Sequence, residues 1–413
     1  MNAERRSGFY DEAAETMSLD ARRAMQDGFL GPLVAYACEK SALYRAKLDG
    51  AGLAPGDVAT LENLARVPVT RKRETEDMGF EGIQAVPYNQ ARRIFVSPGP
   101  QFYAYGPVPQ EANPLLRVYH AIGFRPGDIV LNTFSYHWTP AGVNFDDSLG
   151  AFGCAVIPAG PGQTELQVQT LSKLDVTGYV GTPSFLKIIA ARARELGHDP
   201  ASFGLEVALT SAEPLPDELR AELQDAYGAT VRQLYGSADG LLPCYECWVA
   251  DGMHVPDLMI LEIVDPSSGE PLPAGEPGAV CATVFNPYRP LLRFLNGDRA
   301  VLLEGDCPCG RTAPRIRFAG RIEDGVKVRG MFVYAHQVAE VMERFGVERW
   351  RAVVEHDAGG LDVFRVELDG AEPGGLREAL RAAVRVRADV LGGRPVNDTD
   401  VATLRDERTK DEP

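Results

Sequence analysis

Apolar residues near the start of the chain recur at helical spacing: Leu19, Met25, Phe29, Leu33, Tyr36 and Ala37, then Tyr44 and Leu48. Residues 15–48 are therefore expected to be helical. From Asp128 onward the pattern becomes short apolar runs separated by longer amphipathic stretches. Strands are predicted at 129–132, 155–158, 177–180, 207–209 and 231–234, and helices at 164–174, 184–197 and 216–227. Strands that alternate with helices in this way predict a parallel α/β sheet. After Asp257 strand-like runs and Pro/Gly turns dominate to about Arg317, which predicts a β-rich subdomain over about 257–318. A small unit follows over 320–413, with strand at 326–333, helix at 335–345, strands at 351–356 and 361–368, and helix at 374–391. The expected architecture is thus a large N-terminal α/β region, residues 1–319, with a β-rich subdomain, and a small C-terminal α+β lid. No internal repeat or low-complexity tract interrupts it, and the charged tail from Asp406 is expected to fray.

Composition narrows the class. The 413 residues are 45% hydrophobic and 24% charged, ordinary values for a globular chain of two or three domains. A net charge of −16 argues against nucleic-acid binding and against docking on anionic membranes. The first six residues lack the apolar core of a signal peptide. The Arg5-Arg6 pair is followed by Asp11, Glu12 and Glu15, which argues against a twin-arginine signal. Seven cysteines, an odd number with four in close pairs, make a poor disulfide framework, and a reduced cytoplasmic location is expected.

Cys247-x6-His254 together with Cys307-Pro308-Cys309 supplies three thiolates and one imidazole, the donor set of a tetrahedral structural zinc site. Cys244, three residues before Cys247, is a competing ligand.

An ordered motif series lies between Thr210 and Gly330: T-S-A-E-P (210–214), Y-G-S-A-D (235–239), E-C-x6-H (246–254), R-P-L-L-R-F-L-N-G-D-R (289–299), C-P-C-G-R-T (307–312) and G-R-I-E-D-G-V-K-V-R-G (320–330). This order and spacing closely resembles the phenylacetate–CoA ligase family, a branch of the adenylate-forming enzymes, over residues about 9–405. The resemblance implies the adenylate-forming fold. It implies conversion of a small-molecule carboxylate and ATP to an acyl-adenylate with Mg²⁺, then thioester formation with CoA. Some relatives carry a matching Cys-His-Cys-Cys set, and relatives are commonly homodimers.

Carried over position by position, Ala212, Glu213 and Pro214 border the adenine and acyl group. Tyr235 would stack on the base or cap the acyl pocket, with Gly236 giving close backbone approach. Asp239 stands where the family has a cation-binding Glu, and Asp298 matches the carboxylate that holds the ribose hydroxyls. Arg321 falls among the nucleotide-contacting positions, and Glu323 at the hinge of the lid. Lys410 has roughly the spacing of the lid lysine that reaches the α-phosphate. Tyr136, Trp138 and Gly142, in S-Y-H-W-T-P-A-G (135–142), correspond to the acyl pocket. His137 is either a general base or a hydrogen-bonding wall residue.

One segment departs from the family. Where a Ser/Thr/Gly-rich loop should cradle the ATP phosphates, the chain has Ser97-Pro98-Gly99-Pro100-Gln101-Phe102-Tyr103. Ser97 and Gly99 survive, but Pro98 and Pro100 remove two N–H donors and the Thr-Thr-Gly-Lys portion is missing. Three readings follow. The first is ATP-dependent ligation of an aryl or related acid. The second is ATP-independent transfer, cyclisation or hydrolysis of a pre-activated acyl thioester or adenylate, with CoA or a carrier-protein pantetheine as thiol. The third is a non-catalytic partner of a true ligase.

Overall fold

The computed structural model describes residues 3–77, 82–96, 102–106, 113–236, 243–322, 326–328, 331–357, 361–397 and 400–408. The chain divides into two compact units, Met1–Ala319 and Gly320–Pro413. Among the described residues no helix is long and apolar enough to cross a membrane.

The first unit opens with the helices Leu19–Lys40 and Ala42–Gly50. The helical stretch expected over 15–48 breaks at Ser41, whose extended backbone ends one helix while its Oγ accepts the Tyr44 N–H of the next at 3.3 Å. A serine side chain can serve as an N-cap in this way, which favours restarting a helix over continuing it. These helices bury Leu30, Leu33, Val34, Tyr44 and Leu48 against Leu291, Leu292 and Phe294 of the β-rich region.

Five parallel strands form the α/β half. Across the sheet they run Ala155–Pro158, Ile129–Asn132, Gly178–Gly181, Val207–Thr210 and Thr230–Tyr235. The apolar runs of the four inner strands are buried under the helices on the two faces, as a doubly covered parallel sheet requires, while the edge strand Ala155–Pro158 is only partly covered. Thr230–Tyr235 is the junction. It pairs in parallel with Val207–Thr210 and antiparallel with Cys244–Tyr245. From there the sheet continues through Met253–His254, Arg315–Arg321, Leu291–Leu303, Pro277–Val284 and Met259–Val264. One sheet therefore carries both the α/β half and the β-rich region.

Among the elements that were not expected are a hairpin and a helix on the N-terminal side. Arg93–Val96 and Phe102–Tyr105 pair as an antiparallel hairpin with Val96 opposite Phe102. The helix Ala141–Phe152 begins just after the 135–140 loop.

In the second unit, Val326–Val328 and Met331–Val333 pair antiparallel where one strand was expected over 326–333. A four-stranded sheet runs Ala388–Leu391, Asp362–Leu368, Trp350–His356 and Thr403–Asp406. The helix expected over 374–391 is corrected: Leu376–Val384 is helical, and Arg385 at φ 56° ends it. Beyond it Val386, Ala388 and Val390 are buried at every second position, the period of a strand.

Candidate functional site

The parallel strands define a crevice by topology. The chain runs from Ile129–Asn132 outward to Ala155–Pro158, then returns to the other side of the first strand as Gly178–Gly181. Ligands of open α/β sheets bind at the carboxyl ends of strands where the order reverses in this way. At that edge a Cβ on Gly181 would lie 2.1 Å from Thr133 Oγ1 and 2.2 Å from Tyr179 Oη, so only glycine fits there.

The 133–142 segment leaves the same edge. The Asn132 amide donates to Tyr136 Oη and to the Gly142 carbonyl, both at 2.9 Å. Tyr136 in turn donates to Asp146 Oδ2 at 2.7 Å. Burial and the Asp146 carboxylate push the Tyr136 phenol well above its ordinary range. A Cβ on Gly142 would stand 2.4 Å from the Ser135 carbonyl oxygen, so the loop closes on the helix start only with glycine. Trp138 has φ 66° and is 74% exposed; its carbonyl accepts the Val96 N–H at 2.7 Å, tying the loop to the hairpin. His137 is exposed, and its backbone N–H donates to Ser135 Oγ at 3.1 Å.

The 211–214 loop emerges two strands along. Ala212 sits at φ 69°, the left-handed region that a side chain disfavours. The turn is held by Ser211 Oγ, which donates to the Leu234 carbonyl at 2.7 Å, and by the Gln233 amide, which donates to the Glu213 carbonyl at 3.2 Å. Glu213 Oε2 accepts the Ser184 N–H at 3.3 Å. Pro214 and Gly236 are exposed on the same edge.

At the end of the junction strand, Tyr235 Oη donates to Asp298 Oδ2 at 2.5 Å. The Asn296 amide donates to Tyr235 Oη at 2.6 Å and to Asp298 Oδ2 at 3.0 Å. Asn296 Oδ1 also accepts the Asp298 N–H at 3.1 Å, across a bulge in the strand Leu291–Leu303 that Gly297 permits at φ 88°. The Tyr235 ring lies 5.8 Å from that of Phe318. Burial first, then the Asp298 charge, raises the Tyr235 phenol far above its ordinary value, so it remains a donor. Sequence reasoning named Tyr235 and Asp298 but missed Asn296; the signal was the asparagine two places before the aspartate in L-N-G-D.

Ser97, Gly99, Asp239, Glu323 and Lys410 lie outside the described residues. Arg321 is half-buried at the end of Arg315–Arg321.

The four predicted metal ligands do converge. Cys247, His254, Cys307 and Cys309 are buried, with donor atoms all within 4.8 Å of one another. Tetrahedral zinc with ordinary bond lengths would hold two thiolates about 3.8 Å apart, and a thiolate and an imidazole about 3.6 Å apart. The Cys247–Cys307 sulfurs are 3.7 Å apart, and Cys309 Sγ is 3.5 Å from His254 Nε2. His254 Nδ1 lies 3.3 Å from the Ala313 carbonyl, which leaves Nε2 facing the thiols. Backbone N–H groups of Val249 and Arg311 each donate to a thiol sulfur at 3.4 Å. The donor chemistry and spacing therefore fit zinc. Cys244 is not part of the group: it is buried in a separate apolar cluster with Met253, Val255 and Met259. A cavity of about 390 Å³ lies beside the metal loop, lined by Tyr10, Glu15, Arg117, Tyr245, Asp257 and Arg311 among others, and by none of the strand-edge residues named above.

The sheet, its switch point and the edge loops define an adenylate-forming enzyme, and residues 112–285 match the family described as AMP-binding enzyme. Within that class the chain belongs to the phenylacetate–CoA ligase family. It is 32% identical to phenylacetate-coenzyme A ligase of Thermus thermophilus, over 88% of this chain and 85% of that protein. It is 31% identical to the Escherichia coli protein of the same name, over 80% and 78% of the two chains. Among solved structures, 2-hydroxyisobutyryl-CoA ligase with 2-HIB-AMP and CoA in its thioesterification state shares the fold. The TM-score is 0.78 at 24% identity, over 97% of this chain and 93% of that one. An open conformation of that ligase gives a TM-score of 0.72 at 25% identity, over 95% and 93%.

Proposed function

We propose that this chain is a carboxylate–CoA ligase of the phenylacetate–CoA ligase type, acting on phenylacetate or a related aryl acid. In the first half-reaction the carboxylate oxygen attacks the α-phosphorus of ATP, forming acyl-AMP and releasing pyrophosphate. In the second the CoA thiol, losing its proton, attacks the acyl carbon and AMP leaves. The observation that carries this reading is the Tyr235–Asp298 pair at the carboxyl edge, an aromatic ring and a carboxylate suited to a base and a ribose. Ala212, Glu213, Pro214 and Gly236 would border the nucleoside, and by resemblance Arg321 falls among the nucleotide-contacting positions. Tyr136 and Gly142 would shape the acyl pocket, with Trp138 at its mouth. His137 is a candidate base, and its exposure suits a wall or entrance residue as well. Ser97, Gly99, Asp239 and Lys410 would serve the phosphates and the cation, and Glu323 the hinge. Mg²⁺ would supply charge neutralisation on the phosphates.

A second reading is favoured by the hairpin register. With Val96 opposite Phe102, residues 97–101 are the whole connection, and two of those five are proline. Three N–H donors and no lysine make a poor triphosphate cradle. On this reading the site takes an acyl group already activated as adenylate or thioester, and passes it to CoA or to the pantetheine of an acyl-carrier protein. The Cys247, His254, Cys307 and Cys309 group would hold a structural zinc, and its reduced thiols suit a cytoplasmic setting. A homodimer accords with the family.

The deciding experiment incubates the protein with phenylacetate, Mg-ATP and CoA and follows pyrophosphate and phenylacetyl-CoA. Stoichiometric formation of both supports ligation. Thioester formed from synthetic phenylacetyl-AMP, with no pyrophosphate released from ATP, supports the second reading. Turnover of neither, across a panel of aryl acids, sinks both.

A further inference from the structure

Asn296 is 3% exposed, and its single amide reaches both halves of the candidate nucleoside site. Its nitrogen donates at 2.6 Å to the phenol of Tyr235 and at 3.0 Å to the carboxylate of Asp298. Its oxygen takes the Asp298 backbone N–H at 3.1 Å. The Tyr235 phenol closes the triangle on the same carboxylate oxygen at 2.5 Å. Two donors converging on Oδ2 fix the rotation of the Asp298 carboxylate, and the backbone bond fixes the strand bulge that carries it. The aromatic ring and the carboxylate come from strands that are not neighbours in the sheet, so nothing in the ladder itself sets their spacing. Groups held before a ligand arrives lose less freedom when it binds.

We propose that Asn296 is the positioning residue of the nucleoside site: it locks Tyr235 to Asp298 so that base and ribose meet a bracket of preset width. The inference rests on the reading of Asp298 as the ribose-side carboxylate. It also gives nucleoside recognition a support independent of the 97–101 connection, so the nucleoside monophosphate half of a ligand is bound without a triphosphate cradle.

The test is a cycle between residue and ligand. Calorimetry measures AMP and 2′,3′-dideoxyadenosine monophosphate on the full chain and on Asn296→Ala. The wild type is expected to prefer AMP by about tenfold, the worth of one hydrogen bond to a charged group. Asn296→Ala is expected to lose most of that preference, with affinity for the dideoxy nucleotide little changed. A residue that merely supports the fold would weaken both nucleotides alike and leave the ratio intact; that result overturns the proposal. Asn296→Thr, which keeps a hydroxyl able to bond the Asp298 N–H or carboxylate, is expected to restore part of the preference. Should Asn296→Ala fail to fold, Tyr235→Phe removes the phenol bond alone and is expected to narrow the same ratio. A wild type that binds AMP without discriminating the dideoxy form, or does not bind AMP, refutes the ribose assignment of Asp298 and the proposal with it.

Discussion

Replacing Glu15 with Ala isolates one buried charge. The Arg311 side chain is 0% exposed and that of Glu15 2%, with Arg311 Nε donating to Glu15 Oε2 at 2.6 Å. The guanidinium lies between the rings of Trp248 and Phe9, 4.6 and 5.1 Å from their centroids. The guanidinium also donates to the Gly8 carbonyl at 3.3 Å. Glu15 Oε1 also accepts the N–H groups of Tyr10 and Asp11 at 2.8 and 2.9 Å. Removing one partner of a buried pair costs about 3–5 kcal/mol, because the remaining charge is uncompensated. The cavity that Glu15 and Arg311 both line offers water a way to the stranded guanidinium, which places the expected loss near the lower figure, about 3 kcal/mol. At an unfolding entropy of about 2.1 cal/mol/K per residue, that loss lowers the melting temperature of a unit the size of Met1–Ala319 by about 4–5 °C. Glu15→Gln keeps the two backbone bonds and is expected to cost less. Scanning calorimetry with urea titration measures both variants, and the transition of Gly320–Pro413 is expected to stay where it is. A Glu15→Ala protein within about 1 kcal/mol of wild type would refute the reasoning that the guanidinium is left uncompensated when its carboxylate partner is removed.

Three further outcomes are expected. His120 is held neutral by burial, and secondarily by Arg125 and Arg311, with its pKa pushed down to about 4 from 6.5. Between those values the unfolded chain binds the proton and the folded chain does not, so stability falls as pH drops from 7.5 to 5, by about 2 kcal/mol. His120→Gln should show a smaller pH-dependent loss in urea melts, and an equal slope would refute the assignment. Protein purified under reducing conditions is expected to contain one zinc per chain by elemental analysis, and Cys307→Ser to lose most of it, whereas Cys244→Ser keeps it. Gly142→Ala must push a Cβ into the Ser135 carbonyl. It is expected to cost about 2 kcal/mol or more and to raise the KM for the acid, read from melts and steady-state rates.

Much of the fold was legible because it rests on period. The five parallel strands were expected within a residue or two of their places, since runs such as Ile129–Asn132 are apolar and bounded by turn signals. What failed were places where tertiary context decides. Leu376–Val384 and Ala388–Leu391 read as one helix because three residues, with Arg385 in the left-handed region, are all that separate them. The hairpin of Arg93–Val96 and Phe102–Tyr105 was hidden because its partner strands are four residues each and neither alternates cleanly. In the site, Tyr235 and Asp298 stand 63 residues apart. Motif resemblance could name them separately, but their hydrogen bond depends on a sheet order that no local pattern encodes. Asn296 went unnoticed for the same reason. Its bond to the Tyr235 phenol exists only once two strands from different parts of the sheet converge, while its two bonds to Asp298 are local. The choice between Cys244 and Cys247 was likewise left open by spacing; packing brings Cys247 together with His254, Cys307 and Cys309, and buries Cys244 apart with Met253 and Met259.

The metal ligands and the nucleoside bracket are not independent features of this sheet. Tyr235 pairs with Cys244, and Leu234 with Tyr245, which pairs in turn with His254. Cys244–Tyr245 and Met253–His254 are only two residues long, too short for ladder hydrogen bonds alone to hold them in place. Apolar packing behind Cys244 supplies part of the missing rigidity. A zinc bound by Cys247, His254, Cys307 and Cys309 would supply the rest, since structural zinc contributes about 10–16 kcal/mol of binding free energy that is felt as folding free energy. The ion would then act on the chemistry from a distance, by fixing the strand against which Tyr235 lies, while taking no part in the reaction. Two of the shortest strands of the sheet lie beside the residue whose ring position matters most to the candidate site, and the four-ligand cluster sits where those strands need support.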